Sequence, residues 1–560
     1  MKLSLKHVKI ALYVALFLVA SVLFFKWQMV NAPAPQPEAS TAQSQAVGSS
    51  ADAASSNVPN LPVSTGDSGS SKAHLLLGTP PASTLSNNVI TVDTPVMKVA
   101  ISPIGGKIVS LYLTHYNANL KSDQPFQLLA QNQNALHYVV ESGLVSSDPA
   151  MPKNMVFKSA QTHYTLDDEG QLSVNLTWQG SQGLEITKTF TFLPNAYTVS
   201  VNYTIHNTGK AAWSGRFYGE LTRNKVEEKS SLLNSYTNYT GAAISYPDDH
   251  YQKVKFSEME DSAISQTVKS GWVAMLQHYF ITAFVPPKGV DITQFSAVNN
   301  GLYSIGLALP TVTVAPGASE TTGATLYAGP AISSELNAIA PYLGKTVDYG
   351  WLWFISDLIF AVMKWIHAFV GNWGVAIILV TCLIKLIFYP LSAKSYLSMA
   401  KMRALQPKIK ALREKVGSDR QKLGMATMEL YRKEKVSPLG GCLPIMIQIP
   451  VFIALYWVLM ESVELRQAPF FGWIHDLSVH DPLYILPVLM GLSMFVQQRL
   501  NPAPPDPMQA KIMMFLPVVF TVMFLSFPAG LVLYWLVNNC LSILQQWWVM
   551  SRYQKRTKKH

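Results

Sequence analysis

The chain has 560 residues, of which 49% are hydrophobic and only 14% are charged, a composition typical of a membrane protein with a sizeable soluble part. The formal net charge is +10, but Lys and Arg are concentrated in short segments beside apolar runs, which is the pattern of cytoplasmic loops and argues against direct DNA binding. The three cysteines, Cys382, Cys442 and Cys540, lie in or beside apolar runs, so neither a disulfide framework nor a metal site is expected.

Residues 1–30 are predicted to form an N-terminal transmembrane anchor. Three lysines precede about eighteen largely apolar residues, and this run ends at Lys26 and Trp27 without a typical cleavage site. We therefore favour an uncleaved helix with its N-terminus in the cytoplasm over a cleaved signal peptide, which is the alternative. Residues 31–80 are mostly Ala, Pro, Ser, Gln and Gly, and this composition predicts a disordered periplasmic linker.

Residues 81–345 contain many short runs in which polar and apolar residues alternate. In "LSVNLTW", for example, Leu172, Val174, Leu176 and Trp178 would share one face of a strand, and "YTVSVNYTI" has the same period. This rhythm predicts a large all-β sandwich domain in the periplasm. Some carbohydrate-active enzymes share the pattern, but no catalytic group of residues stands out, so a binding or spacer module is the better interpretation.

A helix over residues 349–368 is predicted to lie in the outer membrane interface. Asp357, Lys364 and His367 are spaced by seven and three residues, which places them on one helical face, and aromatic residues occupy many of the other positions. A slightly polar spanning helix is the alternative.

Five further apolar runs predict transmembrane helices: about Trp373–Leu391, Leu443–Met460, Pro482–Val496, Ile512–Phe527 and Gly530–Met550. The loop 392–440 holds twelve Lys and Arg against four Asp and Glu, whereas Glu461 to Asp481 holds one Arg and no Lys. By the positive-inside rule, the anchor and these runs make a polytopic protein with six transmembrane helices and both termini in the cytoplasm. Residues 346–560 form its membrane domain.

The basic loop 392–440 is too amphipathic to be a mere linker. Its pattern predicts two helices, Lys394–Lys415 and Arg420–Lys435, broken at "GSD", and therefore a helical hairpin that projects into the cytosol. A basic C-terminal tail follows the last apolar run. The basic residues of the hairpin that we expect to meet partners are Lys401, Arg403, Lys408, Lys410 and Arg413.

Lys385 lies inside an apolar run, although a lysine at the centre of a membrane helix costs roughly 2.5–3.5 kcal/mol. Thr381 lies four residues earlier and so on the same helical face. Gln448 adds a polar group to a second helix. The last helix carries a polar stripe made of Tyr534, Asn538, Ser542 and Gln545. Hydrogen bonds between helices are the simple explanation; a hydrated groove open to the cytosol is the alternative that also accounts for an unpaired cation.

Five segments carry a resemblance to a known family: "MAKMRALQPKIKALREK", "SPLGGCLPIMIQIP", "ESVELRQAPFFGWIHDLS", "DPLYILPVLMGLSMF" and "FPAGLVLYWLVNN". Together they resemble the YidC family of bacterial membrane-protein insertases, and the match runs through nearly all of residues 350–560. The long extracytoplasmic insert resembles that of the Gram-negative branch, where it is a β-supersandwich.

The resemblance implies a hydrophilic groove, open to the cytoplasm and to lipid, around a basic residue in the first core helix. That position is Lys385, where the family usually has arginine; lysine keeps the charge but lacks the planar fork, so strict dependence on this residue is not expected. By the same resemblance, the neighbours or substrate contacts are Thr381, Gln448, Tyr534 and Trp535, and the polar stripe adds Asn538 to the groove.

The implied function is insertion and chaperoning of nascent membrane proteins in the bacterial inner membrane, alone or with the Sec translocon. No cofactor and no enzymatic step is expected. The implied partners are the ribosome, the signal-recognition targeting machinery and anionic lipids. A secondary transporter or channel that uses an intramembrane lysine is the alternative, but repeated halves with interrupted helices, which a transporter would show, are not apparent in the sequence.

Overall fold

The structure is a computed structural model of the chain, and it describes residues 89–132, 136–148, 151–152, 154–225, 239–246, 251–416, 420–434, 436, 443–501 and 507–557. The predicted anchor (1–30) and linker (31–80) lie outside the described residues.

Strands fill the described part of the chain up to Pro330. In chain order they are β1 (Ile90–Asp93), β2 (Met97–Ser102), β3 (Lys107–Asn119), β4 (Ser122–Gln131), β5 (His137–Ser146), β6 (Lys158–Ser159), β7 (His163–Thr165), β8 (Leu172–Gln179), β9 (Leu184–Phe192), β10 (Thr198–Asn207), β11 (Trp213–Asn224), β12 (Gly241–Ile244), β13 (Gln252–Val254), β14 (Ser265–Lys269), β15 (Val273–Gln277), β16 (Phe280–Val285), β17 (Asp291–Asn299), β18 (Leu302–Ala308), β19 (Val312–Val314) and β20 (Ser319–Pro330).

These strands form two sheets. The first sheet has 11 strands in the order β14-β17-β18-β11-β5-β4-β3-β2-β1-β7, with β19 paired to β11. The second has nine strands in the order β13-β12-β15-β16-β20-β10-β9-β8-β6. The pairs are antiparallel except for β1 and β7, which are parallel.

The two sheets face each other across an apolar core. The predicted alternation is confirmed in β10, where every second residue from Val199 to Ile205 is buried. The hydroxyl of Tyr203 in this strand crosses to the other sheet and donates to the carbonyl oxygen of Ser142 at 2.7 Å. The chain therefore buries one face of each sheet, as a period-two pattern requires.

Lys188 of β9 is a cation inside this core, and its exposed fraction is 0%. Burial lowers the pKa of its ammonium group well below the usual value because a charge loses its hydration there. Gly106 has a φ of +60° and would bring a Cβ within 2.9 Å of the lysine Cδ, so the turn needs glycine. The ammonium donates to three backbone carbonyl oxygens: Gly105 at 3.2 Å, Gly106 at 2.6 Å and Ser142 at 3.1 Å.

Helices dominate the rest of the described chain. They are α1 (Phe256–Asp261), α2 (Ser333–Ile339), α3 (Trp353–Val370), α4 (Trp373–Ile387), α5 (Tyr389–Ala404), α6 (Gln406–Val416), α7 (Arg420–Lys433), α8 (Leu443–Glu461), α9 (Ile485–Leu500), α10 (Pro507–Phe524) and α11 (Ala529–Thr557). Short 3-10 turns occupy Leu343–Thr346, Gly350–Leu352 and Val463–Leu465.

Two predicted helix boundaries are wrong, and a proline accounts for each. The chain bends by 68° between α4 and α5, where Pro390 has no N–H to donate to the carbonyl four residues earlier. The predicted hairpin helix Lys394–Lys415 is divided at Leu405, just before Pro407 in the first turn of α6. The apolar segment before the loop is therefore shorter than expected, and the loop begins with a helix that turns away from it.

The predicted number of transmembrane helices is not confirmed. Within the described residues, Gly350–Val370 is sufficiently long and apolar to cross a membrane, and the bent pair α4 and α5 is a second candidate if it counts as one broken span. The other apolar stretches, Gln448–Glu461, Ile485–Leu500 and Lys511–Phe524, are shorter. Gly350–Val370 contains nearly all of the helix 349–368 that was predicted to lie in the membrane interface. Both alternatives for that helix, interfacial and spanning, therefore stand.

The end of α8 and the loop after it contact the sandwich through specific polar groups. The Arg466 Nη2 donates to the carbonyl oxygen of Asn117 at 2.8 Å. His278 donates from Nε2 to the carbonyl oxygen of Met460 at 2.8 Å. The Arg466 guanidinium also lies over two rings of the sandwich: Phe126 at 5.5 Å and Phe280 at 5.7 Å.

Candidate functional site: a polar stripe between three helices

The candidate site lies where α4, α8 and α11 meet. Gly530, in the first turn of α11, lies close to both of the other helices. A Cβ at this position would lie 3.2 Å from Leu459 Cδ2 of α8 and 3.3 Å from Ile377 Cδ1 of α4. The absence of a side chain thus lets α11 begin directly against both partners, and the side chains farther along these helices face one another.

Lys385 in the last turn of α4 reaches across to α11. Its Nζ donates to the Oγ of Ser542 at 2.8 Å, and the Ser542 hydroxyl in turn donates to the carbonyl oxygen of Asn538 at 2.7 Å. No carboxylate of the described residues pairs with this lysine. The sequence marks Ser542 as part of the polar stripe but not as the direct partner of the cation, because a separation of 157 residues hides the pairing.

A second polar link joins α8 to α11. The Gln448 Nε2 donates to the hydroxyl of Tyr534, which is completely buried. Tyr534 and Ser542 are separated by two helical turns, or about 12 Å along α11. The structure thus brings Gln448 and Tyr534 together, whereas Lys385 of α4 contacts α11 about two turns farther along.

Thr381 contributes less to the stripe than its position on the helix suggests. Its exposed fraction is only 1%, and its hydroxyl donates to the carbonyl oxygen of Ile377 in its own helix at 2.7 Å. Such a bond satisfies the hydroxyl locally. Thr381 therefore offers no free donor to a groove in this arrangement.

Four polar atoms on α11 are buried and have no hydrogen-bond partner among the described residues: Trp535 Nε1, Asn538 Oδ1, Gln545 Oε1 and Gln546 Oε1. An unpaired buried polar group costs about 1–3 kcal/mol, so these groups favour any conformation or ligand that satisfies them. The indole of Trp535 itself packs among the rings of Phe452, Phe520 and Phe524. It therefore forms part of an aromatic cluster of α8, α10 and α11.

Gln546 is a further buried polar residue of α11, with an exposed fraction of 0%. Its Nε2 donates to the carbonyl oxygen of Leu500 at 3.2 Å and to Asn501 Oδ1 at 3.1 Å. The residue ties the end of α9 to α11. The sequence analysis missed it, although the four-residue step from Ser542 carries the signal.

The predicted cytoplasmic hairpin has a small core of its own. Lys401 is half-buried, whereas Arg403, Lys408, Lys410 and Arg413 are exposed, and Lys408 lies 2.6 Å from a carboxylate oxygen of Glu434. The basic charges thus lie on the outside of a packed element. That core consists of Tyr396, Met399, Met402, Leu405, Ile409, Tyr431 and Val436, with Val549 of α11 against it.

Comparisons with known proteins identify the family. Residues 89–362 match the YidC periplasmic domain, and residues 365–557 match the 60Kd inner membrane protein family. One solved structure, titled as an active YidC insertase with its first transmembrane domain resolved, is 18% identical with a TM-score of 0.37 and covers 82% of this chain and 92% of its own. The chain is 46% identical to the membrane protein insertase YidC of Legionella pneumophila (strain Paris), over 97% of both chains, and to that of Stutzerimonas stutzeri (strain A1501), over 98% of both. The chain belongs to the YidC family of membrane protein insertases.

Proposed function

We propose that this chain inserts nascent inner-membrane proteins, and assists their folding, through a hydrophilic groove formed by α4, α8 and α11. The groove is open to the cytoplasm and to lipid. It acts without bond chemistry and without a cofactor, alone or with the Sec translocon.

The observation that carries the proposal is an ammonium group satisfied by a single hydroxyl. Lys385 bonds Ser542, and the nearby amide oxygens of Asn538 and Gln545 have no partner among the described residues. Polar groups at membrane depth normally face protein or water. Protein atoms of the described chain satisfy the hydrogen bonding of these groups only in part. Water or a passing polypeptide therefore supplies the missing hydrogen bonds.

The position of Lys385 supports an opening on the cytoplasmic side. The lysine lies in the last turn of α4, directly before the bend into α5 and the basic hairpin. A client helix must carry its polar flank across about 30 Å of hydrocarbon. A wet, cationic half-channel shortens the dry part of this path and attracts acidic extracytoplasmic tails.

The proposed topology has six transmembrane helices, with both termini in the cytoplasm and residues 81–345 in the periplasm. The helix over 349–368 lies in the outer interface; its Trp351, Trp353 and Trp365 are exposed, as in an aromatic belt. The basic hairpin 392–440 and the C-terminal tail meet the ribosome, the targeting machinery and anionic lipids.

Labelling of single cysteines tests the groove. After the native cysteines are replaced, single cysteines are placed at positions 385, 448 and 538 of the full chain. Position 383 is the control, because Leu383 is 40% exposed on the outside of α4 and is expected to face lipid. A membrane-impermeant thiol reagent should label the three groove positions from the cytosolic side alone and leave position 383 nearly unlabelled. Position 381 should react least of the predicted groove positions, because Thr381 is buried.

Each alternative has its own outcome in this experiment. Labelling from both sides of the membrane would support a transporter or channel. No labelling at the three groove positions would support hydrogen bonding between helices and contradict the groove.

A further inference from the structure

A cavity of about 160 Å³ lies between the sandwich and the end of α8. Strands β13, β15 and β16 line one side. The other side is lined by Thr346 and Asp348 together with Trp457 and Glu461 of α8. A single water occupies only about 10–15 Å³ of such a space. This junction cavity therefore has room for a chemical group of several heavy atoms.

The ionisable groups of the junction cavity leave one carboxylate without a partner. Lys253 Nζ lies 2.6 Å from Asp348 Oδ2, and the same ammonium lies over the ring of Tyr239 at 5.0 Å. Glu461 also lines the cavity, but its carboxylate makes no hydrogen bond or ion pair with the described residues. Two carboxyl groups thus share one ammonium group.

The neutral groups of the cavity add a second unsatisfied acceptor. Gln277 Oε1 is buried and has no hydrogen-bond partner within the described part of the chain. His278 does not supply the missing positive charge, since its Nε2 is bonded to the carbonyl oxygen of Met460 and burial lowers its pKa to about 4. The amide oxygen of Gln277 and the carboxylate of Glu461 both accept hydrogen bonds, so the complementary ligand is a donor. Burial raises the pKa of Glu461 to about 7, so a cation beside it holds this carboxyl group in its charged form.

The location of the cavity indicates which molecule supplies that cation. Glu461 ends α8, and Trp351 and Trp353, which follow Asp348 closely, are 70% and 56% exposed. Exposed tryptophans in a membrane protein mark the level of the lipid headgroups. At this level the abundant small cations with N–H donors are primary ammonium groups of phospholipids; a quaternary ammonium has no N–H to donate.

We propose that the junction cavity binds the primary ammonium group of an ethanolamine phospholipid from the outer leaflet, with Glu461 and Gln277 as its acceptors. Bound there, the lipid fills the gap between the sandwich and α8. The site lies on the opposite side of the membrane from the proposed opening of the groove and is independent of it.

Lipid titration of the delipidated full-length protein in detergent tests the proposal. Short-chain phosphatidylethanolamine should bind saturably, and phosphatidylcholine with the same chains should bind at least about tenfold more weakly, because its headgroup has no N–H donor. Binding is read from native mass spectra and from the rise in Tm. Glu461→Gln should weaken phosphatidylethanolamine binding about tenfold, and Gln277→Leu should weaken it less. Glu464→Gln is the matched control, because Glu464 lies three residues farther on and does not line the cavity.

Four results would overturn the proposal. Equal binding of the two lipids, or unchanged affinity in both cavity variants, would show that the cavity does not recognise the ammonium group. No saturable binding would leave a cavity that holds water only. Soluble phosphoethanolamine is titrated last. If it binds as tightly as the lipid, the ligand does not have to come from the membrane.

Discussion

Lys188 of the sandwich and Lys385 of the helical region both withdraw an ammonium group from bulk water, but their surroundings differ. Lys188 donates to three backbone carbonyl oxygens and so uses all three of its N–H groups. Lys385 has one partner, the hydroxyl of Ser542, beside buried amide oxygens that have none among the described residues. The first lysine is a closed structural element, and the second is left open to water or to a ligand.

The comparison shows how to separate structural polarity from functional polarity in this molecule. A fold satisfies a buried polar group completely when the group only has to hold the fold together. It leaves the group partly unsatisfied where another molecule completes the bonding. By this criterion the Lys188 site holds the sandwich together, whereas the stripe on α11 is a candidate place for binding.

The largest effect is expected from removing the buried ammonium group of Lys188 in the sandwich. Lys188→Met keeps the volume but leaves carbonyl oxygens without a donor, so it should lower the free energy of unfolding by about 3 kcal/mol. For a domain of this size, that corresponds to a fall in Tm of roughly 6–12 °C. Thermal unfolding of the full-length protein in detergent measures it. Lys98→Met is the control, because Lys98 is exposed on β2; equal shifts in the two variants would mean that the three carbonyl bonds contribute nothing.

The next effect concerns the boundary between the two regions and depends on pH. Burial lowers the pKa of His278 to about 4, whereas in the unfolded chain it is about 6.5. The neutral ring of His278 therefore contributes fully to the free energy of unfolding above pH 6.5, and this contribution is lost as the pH falls towards 4. At pH 5.5 the protein should be about 1.2 kcal/mol less stable than at pH 7 through this group alone.

His278→Gln isolates that contribution, since an amide N–H can still donate to the carbonyl oxygen of Met460. Other carboxyl groups also titrate, so the quantity to compare is the difference in Tm between the two proteins at each pH. This difference should shrink or reverse on acidification. A constant difference from pH 7 to pH 5.5 would show that His278 is not held neutral at the boundary.

A smaller effect, of about 1 kcal/mol or fivefold in rate, is expected in the groove. Lys385→Leu should slow the insertion of client proteins with acidic extracytoplasmic tails by roughly that factor, whereas Lys385→Arg should retain most of the activity. Insertion into proteoliposomes measures both variants, and a client with a neutral tail serves as the control. Equal insertion of the acidic clients by Leu and Arg variants would mean that the charge is not used.

The smallest effect is expected at a third lysine, which is neither closed nor buried. Lys408 pairs with Glu434 on the hairpin, but its side chain is 59% exposed. Ion pairs of this kind are worth about 0–1 kcal/mol, so Lys408→Ala should change the free energy of unfolding by less than about 0.5 kcal/mol. A Tm shift as large as that of Lys188→Met would contradict the expectation that a buried, fully bonded lysine contributes more to stability than an exposed one.

Local patterns made part of this fold predictable. The strands β8 and β10 follow directly from period-two alternation, because burial of one sheet face requires it. Lys385 was predictable as a candidate because a cation in an apolar run is costly. The bends near Pro390 and Pro407 were missed, although proline interrupts the helical hydrogen bonds and both prolines are plain in the sequence.

The partners of these residues could not be predicted, because they come from distant parts of the chain. Lys188 lies between Ile186 and Phe190 on the inward face of β9. Nothing in that stretch shows that its carbonyl acceptors come from a turn 82 and 83 residues away and from a strand 46 residues away. The pairing of Lys385 with Ser542 depends on how α4 packs on α11. Helix ends, the orphaned oxygens and the junction cavity likewise arise from packing between elements.

The bond between Arg466 and Asn117 joins residues that are 349 positions apart in the chain. At translation rates of about 5–20 residues per second, Asn117 leaves the ribosome roughly 20–70 s before Arg466. This interval exceeds the folding time of most β domains, which is milliseconds to seconds. The sandwich can therefore be complete before the loop after α8 is made, and its surface can act as a template on which the last-synthesised part of the protein assembles.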